Sequence, residues 1–431
     1  MRCPSRLLAN LLAKLLPKLL PKLLPKLLVA TSLALPALPV AAQDGGLRYS
    51  FGLSQRLETS QNPGLAIPAG ASSTNAVTAL SFGLTSSTPT ETLALALDGG
   101  LQLSKTGGDA LVTGLEGPQL SFGYDRQGGN AAFATSLDYS DARIETLRPL
   151  TDFLNDQGQI ELPENPDDLV GTGNRRTSGA SFRLDLGTEA PLGVSLSAGF
   201  DQTNYADVSD PDLVDTRSMD LGATAQLRFS ETLAGTLSLN QSQFEAEDAA
   251  ATSRVTQGLD FGINQQISPR LSLSAGAGLS IARTAGESRS ENPTARVGLD
   301  LALPNGGLAF DLGLDSVGIS WQQALPRGGI SAALSHNPDA DGSGQTTVLA
   351  LNYDQSLSPV SGLNFGLSHS DFSNPGENAV ARTDLTASYS HSLTPDWGMT
   401  LGANHSLRDE DTVGAANSST LFLSLSRNFE F

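Results

Sequence analysis

Ser418-Ser-Thr-Leu-Phe-Leu-Ser-Leu-Ser-Arg-Asn-Phe-Glu-Phe431 is the stretch from which the fold is read. Leu421, Leu423, Leu425, Phe429 and Phe431 share one parity. Thr420, Ser424, Ser426, Asn428 and Glu430 share the other, with Phe422 the apolar exception. Alternation with period two puts the two sets on opposite faces of a strand. The sequence stops on an aromatic, with no solubilising tail. Such a strand end invites aggregation unless a membrane covers its apolar face and neighbouring strands cover both edges.

The same alternation recurs from near residue 47 onward. Leu47, Tyr49, Phe51 and Leu53 alternate with Arg48, Ser50, Gly52 and Ser54. Leu271, Leu273, Ala275, Ala277, Leu279 and Ile281 alternate with serines and glycines, as do Trp397, Met399, Leu401 and Ala403 with Gly, Thr and Asn. Each segment runs about ten residues, enough for a tilted strand to cross a bilayer. The second face is too polar for a protein core but suits a wet lumen. A β-sandwich would need bulkier inward residues and shorter strands.

Connections alternate in length. Nine short turns rich in Gly, Pro, Asn and Ser, such as Gln127-Gly-Gly-Asn130 and Ser268-Pro-Arg270, carry the residues that tight turns need. Between them lie ten outer links: 59–73, 105–112, 148–173, 207–215, 247–252, 285–293, Asp315-Ser316, 337–344, 373–378 and 410–417. The expectation is an all-β, transmembrane, antiparallel up-and-down β-barrel of about 20 strands, with 18 and then 16 as alternatives. Ser230-Glu-Thr, Ser268-Pro-Arg and Ser358-Pro-Val look alike, a weak hairpin repeat. Phe122, Tyr124, Phe229, Trp397, Phe429 and Phe431 are expected near the short-turn rim, and Tyr139, Tyr205 and Phe372 near the other, as interfacial girdles.

The terminal pattern resembles the assembly signal of bacterial outer-membrane β-barrel proteins: a polar residue, a small one, then two aromatics. Ser424, Ser426, Phe429 and Phe431 hold those places, with Ser426 where that family usually has Gly. The resemblance implies insertion by the outer-membrane assembly machinery into outer-membrane lipid and lipopolysaccharide, and a porin-like barrel with no assignment to a specific family.

The other end is consistent with export through the periplasm. Residues 1–42 carry Arg2, Arg6 and four lysines without an acid, then an apolar core and Val40-Ala41-Ala42. This reads as a signal peptide cut before Gln43, leaving 43–431 as one transmembrane barrel. The tandem Leu-Leu-Pro-Lys units belong to this leader, as does Cys3, the one cysteine. Without the six leader bases, 45 acids face 20 bases, a net charge of −25. That balance argues against nucleic acid as a partner, and one cysteine excludes disulfides and Cys-rich metal sites. No cofactor or metal site is expected. Strand-like residues from Leu47 leave no room in this sequence for an N-terminal plug or hatch, so the reading is one water-filled barrel.

Lumen-parity positions hold Arg48, Arg56, Asp125, Asp138, Arg183, Asp185, Arg228, Asp260, Arg296, Asp300, Arg382 and Asp384. Salt bridges that stiffen the wall are one reading, and a charge-selecting field is another compatible with it. In position the third long link, with Asp152, Asp156, Glu161, Glu164, Asp167 and Asp168, is similar to the constriction loop of general porins. Arg175, Arg176 and Arg183 would then form a basic wall. An exposed acidic loop that binds divalent cations is the equal alternative. Asp339-Ala-Asp341-Gly-Ser343-Gly starts like a calcium loop, but Ala350 stands where a closing Glu belongs. Among the four histidines, His369, His391 and His405 share parity with apolar residues and face lipid, which removes them from a catalytic patch, so no enzyme is expected. Ala223, Ala225, Ala275 and Ala277 offer a small-residue strip for a homo-oligomer. The favoured function is a passive channel for small polar solutes that prefers cations. The alternative is a non-conducting structural or adhesion barrel whose acidic loops bind divalent cations or partners.

Overall fold

The computed structural model describes residues 46–106, 112–144, 171–208, 210, 213–248, 251–286, 289–314, 316–338, 345–373 and 379–431. Residues 1–42, read from the sequence as a signal peptide, the six loop carboxylates from Asp152 to Asp168, and Asp339 to Gly344 lie outside them. Twenty strands run antiparallel, each bonded to the next in sequence, and the last pairs with the first. Strand β1 (Leu47–Gln61) meets β20 (Gly414–Glu430) from Ser50↔Glu430 to Gln61↔Ser419. Past that ladder, the Phe431 N–H donates to Tyr49 O at 2.8 Å and the Tyr49 N–H donates to Phe431 O at 3.0 Å. Closure leaves no edge strand, the one way a sheet satisfies its backbone inside lipid.

Nine connections on one rim are short, from two residues at 129–130, 269–270, 304–305, 326–327 and 359–360 to five at 187–191. The repeated serine has a local chemical reason. Ser230, Ser268 and Ser358 each accept on Oγ the backbone N–H two residues on, at 3.2 Å in all three turns. The same local bond serves these three hairpins, which is why the serine recurs at the same place in each.

Most strands are longer than the expected ten residues, at 13 to 17, and several outer links are correspondingly shorter. The links read as 285–293 and 410–417 shrink to 285–289 and 411–413. Pairing does not stop where the apolar belt stops: polar residues above it continue the ladder, because their backbone still needs partners. The exception is β13 (Gly306–Gly313) with β14 (Val317–Leu325), at 8 and 9 residues the lowest part of the wall. In β4 (Val112–Gly128), Gly117 with φ of 56° precedes Pro118 at a bulge opposite Asp98 and Gly100 of β3 (Glu91–Thr106). A positive φ and a missing N–H are both tolerated there, since a bulge frees residues from the ladder.

Directly paired residues share a face, so the register sorts every strand. Leu53 pairs with Leu80, Leu57 with Leu423, Ala275 with Val297 and Leu401 with Leu423, all outward. Leu421 is 59% exposed and Leu101 66%, as the surface of a barrel immersed in lipid requires. Outward aromatics gather on the short-turn rim, where Tyr49 and Phe82, Phe51 and Phe429, and Tyr124, Phe133 and Phe182 form ring contacts of 5.3–6.5 Å. The second girdle is thinner than expected. Tyr139 faces out, opposite Leu120, but Tyr205 and Phe372 have lumen parity, opposite Arg175 and Val380.

Candidate functional site in the barrel lumen

Twenty strands about 4.8 Å apart, tilted by about 40°, enclose a barrel about 40 Å across between backbones. The inward face lines that space with polar side chains of unequal height, and glycine makes room for them. Asn240 lies over Gly258, Asp260 over Gly278, Asp201 over Gly179 and Ser274 over Gly298. Each tall side chain bends across a neighbouring strand where no Cβ stands in its way.

Every charged residue assigned to the lumen by parity is found there. Several arginines take a carboxylate two places along their own strand, on the same face. Arg183 Nε donates to both oxygens of Asp185, at 3.1 and 2.9 Å, and Arg56 reaches Glu58 at 2.6 Å. Arg382 donates to Asp384 at 3.1 Å, and Arg408 lies 2.8 Å from Glu410. Arg382 and Arg408 pair across β18 (Val380–Ser392) and β19 (Trp397–Glu410). Ser406 Oγ completes this ladder by donating to Asp384 Oδ1 at 2.5 Å. Asp98, Asp125, Asp138, Asp201, Asp220, Asp260, Asp300, Asp311 and Asp354 add lumen-facing carboxylates outside these pairs.

The wall is uneven in composition. Along β13, β14, β15 (Gly328–Pro338), β16 (Gln345–Ser358) and β17 (Ser361–Ser373) its inward residues include Ala309, Ser320, Ala333, Ser335, Val348, Ala350, Ser368 and Ser370, all small, uncharged and buried. Val348 and Ser370 are 0% exposed, and among the described residues the hydroxyls of Ser335, Ser368 and Ser370 have no hydrogen-bond partner. In a ring of twenty, β15 and β16 stand ten places from β5 (Ala131–Arg143) and β6 (Asn174–Leu186), the strands that bear the long link.

The roots of that link are well held. The Ile144 N–H donates to Gly173 O at 2.9 Å, and Ile144 packs with Leu213, Tyr205 and Val208. The Gly171 N–H donates to Gly64 O at 2.9 Å in the link between β1 and β2 (Ser73–Ser87). That link is organised by Asn62, whose Oδ1 accepts the N–H groups of Ala66 and Gly70 and whose Nδ2 donates to Ala66 O and Asn417 O.

The proposed basic wall divides. Arg175, opposite Ala142 and Tyr205, and Arg183, opposite Ala134 and Ser197, face the lumen. Arg176 does not: it pairs with Asp141 and Asn204 on the outer face, and its Nε donates to Asp141 at 2.8 Å. Phe182, Leu184 and Leu186 of the same strand share its parity, so counting back from them reveals the side. Phe429 faces out beside Phe51, and Phe431 ends the seam.

Two contacts were not foreseen. Phe422, the parity exception, faces the lumen over Gly402, with Arg56 Cζ 4.1 Å from its ring centroid. Arg427 faces lipid on the short-turn rim, its Cζ 4.4 Å from the Phe429 ring and 5.5 Å from that of Trp397. A cation in an aromatic girdle is stabilised by the ring faces. The signal for it was its shared parity with Leu425 and Phe429.

No family model matches the chain, and no curated protein matches it in sequence. Solved structures resemble it in outline. The ferric enterobactin receptor PfeA of Pseudomonas aeruginosa aligns over 90% of this chain and 81% of its own, at 10% identity and a TM-score of 0.48. The siderophore receptor PirA of the same organism aligns over 90% and 81%, at 10% and 0.45. OccK7 (OpdD), also from that organism, aligns over 90% and 100%, at 12% and 0.39.

Proposed function

We propose that the chain is an integral outer-membrane channel of porin type for small polar solutes, with a preference for cations. The observation that carries this reading is the inward face: a closed 20-strand wall whose lumen side bears ionised and hydroxylated residues, with its leucines turned outward. Charges on a lumen face are stable only against water, and a barrel this wide holds water. The cation preference rests on the lumen-facing carboxylates in excess of the Arg–acid pairs, and on the chain's acidic balance.

The third long link is the proposed constriction, with Arg175 at its base and Arg183 on the same strand nearer the short-turn rim. Its support is threefold: the tie of Gly171 to Gly64, the buried root at Ile144, and the small-residue strip on the wall opposite. The segment 145–170 is 26 residues, and half of that, extended at about 3.3 Å per residue, reaches about 43 Å, enough to cross and return. The alternative, a barrel that does not conduct and bears cation-binding acidic loops, differs in one readout. Refolded protein in a planar bilayer should give discrete conductance steps with a reversal potential favouring cations. Silent membranes containing correctly folded, heat-modifiable protein would leave the structural barrel in its place.

A further inference from the structure

Three histidines stand at equivalent places in successive hairpins. His336 is eight residues beyond the start of β15 (Gly328–Pro338), His369 eight beyond that of β17 (Ser361–Ser373), and His405 eight beyond that of β19. All three face outward, opposite Thr347, Thr383 and Ser419 of the following strand. Each imidazole meets that hydroxyl through Nδ1, at 2.8, 2.9 and 2.8 Å. His391 lacks this arrangement: it sits near the short-turn rim against Tyr389.

The row marks a boundary. Below it on the same face come Leu334, Leu349, Leu367, Leu385, Ala403 and Leu421; above it come Gln345, Asp371 and, past Leu407, Asp409. It therefore runs along the outer edge of the apolar belt, at the height of the headgroups of the outer leaflet. With strands about 4.8 Å apart, imidazoles two strands distant are about 10 Å apart. That is too far for them to share one metal ion, whose nitrogen ligands lie about 2 Å from it. A hydroxyl that donates to Nδ1 leaves the proton on Nε2, and the cross-strand bond holds the ring in place. In that tautomer the row offers three Nε2 N–H donors at the height of the headgroup layer.

We propose that His336, His369 and His405 form a rail that binds the phosphate-bearing glycolipid of the outer leaflet through its phosphate oxygens. The rail rests on the outer-membrane placement above but not on conduction. Asp371 is the adverse neighbour, two residues above His369 on the same face. Its carboxylate repels a phosphate that the imidazoles attract, so removing its charge should help.

The test uses refolded full-length protein in detergent, with bis-phosphorylated lipid A, the same lipid dephosphorylated, and inorganic phosphate as probes in native mass spectrometry. Bis-phosphorylated lipid A should be retained and the dephosphorylated form about tenfold less. Inorganic phosphate at equal concentration should not displace it. The H336A/H369A/H405A variant, checked for heat-modifiability, should lose that preference, and Asp371→Asn should increase retention. Equal retention of both lipids, displacement by free phosphate, or an unchanged triple variant would overturn the proposal. So would lower retention in Asp371→Asn, which would point to a bridging cation. A triple variant that alters only the oligomeric state would assign the row to contact between copies. A folded barrel that binds the lipid yet passes no current would sink the channel reading while leaving the rail intact.

Discussion

Arg56 and Phe422 meet across the barrel seam, the guanidinium carbon 4.1 Å from the ring centroid. Arg56 belongs to the first strand and Phe422 to the last, so this contact joins the two ends of the barrel from inside. Phe422 takes this place because its partner on β19 is Gly402, where a Cβ would run into the ring and come 3.0 Å from the Ala387 carbonyl. An apolar residue on a wet face is thus covered above by a cation and below by bare backbone.

Phe422→Ala should therefore loosen the seam. The loss of the cation–π contact is about 0.5–2 kcal/mol, read as an earlier urea midpoint for refolded protein in micelles. Gly402→Val should be worse alone, and the Phe422→Ala/Gly402→Val pair should recover part of that loss. If the two costs simply add, the close approach is not what destabilises the valine variant.

The buried pair on β18 predicts a larger effect. Arg382 and Asp384 side chains are 8% and 11% exposed, and Ser406 donates to the same carboxylate. Removing one charge from a buried pair costs about 3–5 kcal/mol, because the other is left in a poor environment. Arg382→Ala should show that loss in unfolding experiments, and Arg382→Leu/Asp384→Leu should regain most of it. A single variant as stable as the parent protein would mean that water reaches this ladder freely.

Assembly should depend on the last residues. Phe431 exchanges both backbone hydrogen bonds with Tyr49, and Phe429 packs on Phe51 at 6.2 Å between centroids. Phe431→Ser, and more strongly removal of Phe429 to Phe431, should leave protein in the periplasm. A heat-modifiable barrel in the outer membrane of cells expressing the truncation would remove the terminal aromatics as the signal.

Much of this architecture was legible because its rules are local. Strand period, turn residues and the lengths of the links placed all twenty strands, including the short β13 and β14, whose turns at 304–305 and 326–327 carry Pro. Strand ends were not legible, since polar residues above the belt pair as well as those in it. Arg176, Tyr205 and Phe372 were misplaced for that reason: near strand ends they looked like loop or girdle residues, and only strict parity puts them on their faces. The hydroxyl partners of the histidines depend on register between strands. Turn length sets that register, and composition does not reveal it.

Selectivity separates the lumen arginines from their neighbour. Arg183 faces the lumen and Arg176 faces out, though both belong to β6. Arg183→Ala should move the reversal potential toward stronger cation preference, and Arg176→Ala should not. The loop carboxylates give the decisive comparison. Charges at an open mouth are screened beyond about 10 Å at 0.1 M salt and about 3 Å at 1 M, so a preference set there fades as salt rises. A preference set within a constriction persists, because the ion passes closer to the charges than the screening length. Replacing Asp152, Asp156, Glu161, Glu164, Asp167 and Asp168 by Asn or Gln should lower the cation preference even at 1 M salt. A reversal potential unchanged at both concentrations would place those carboxylates outside the pathway and return the loop to the cell surface.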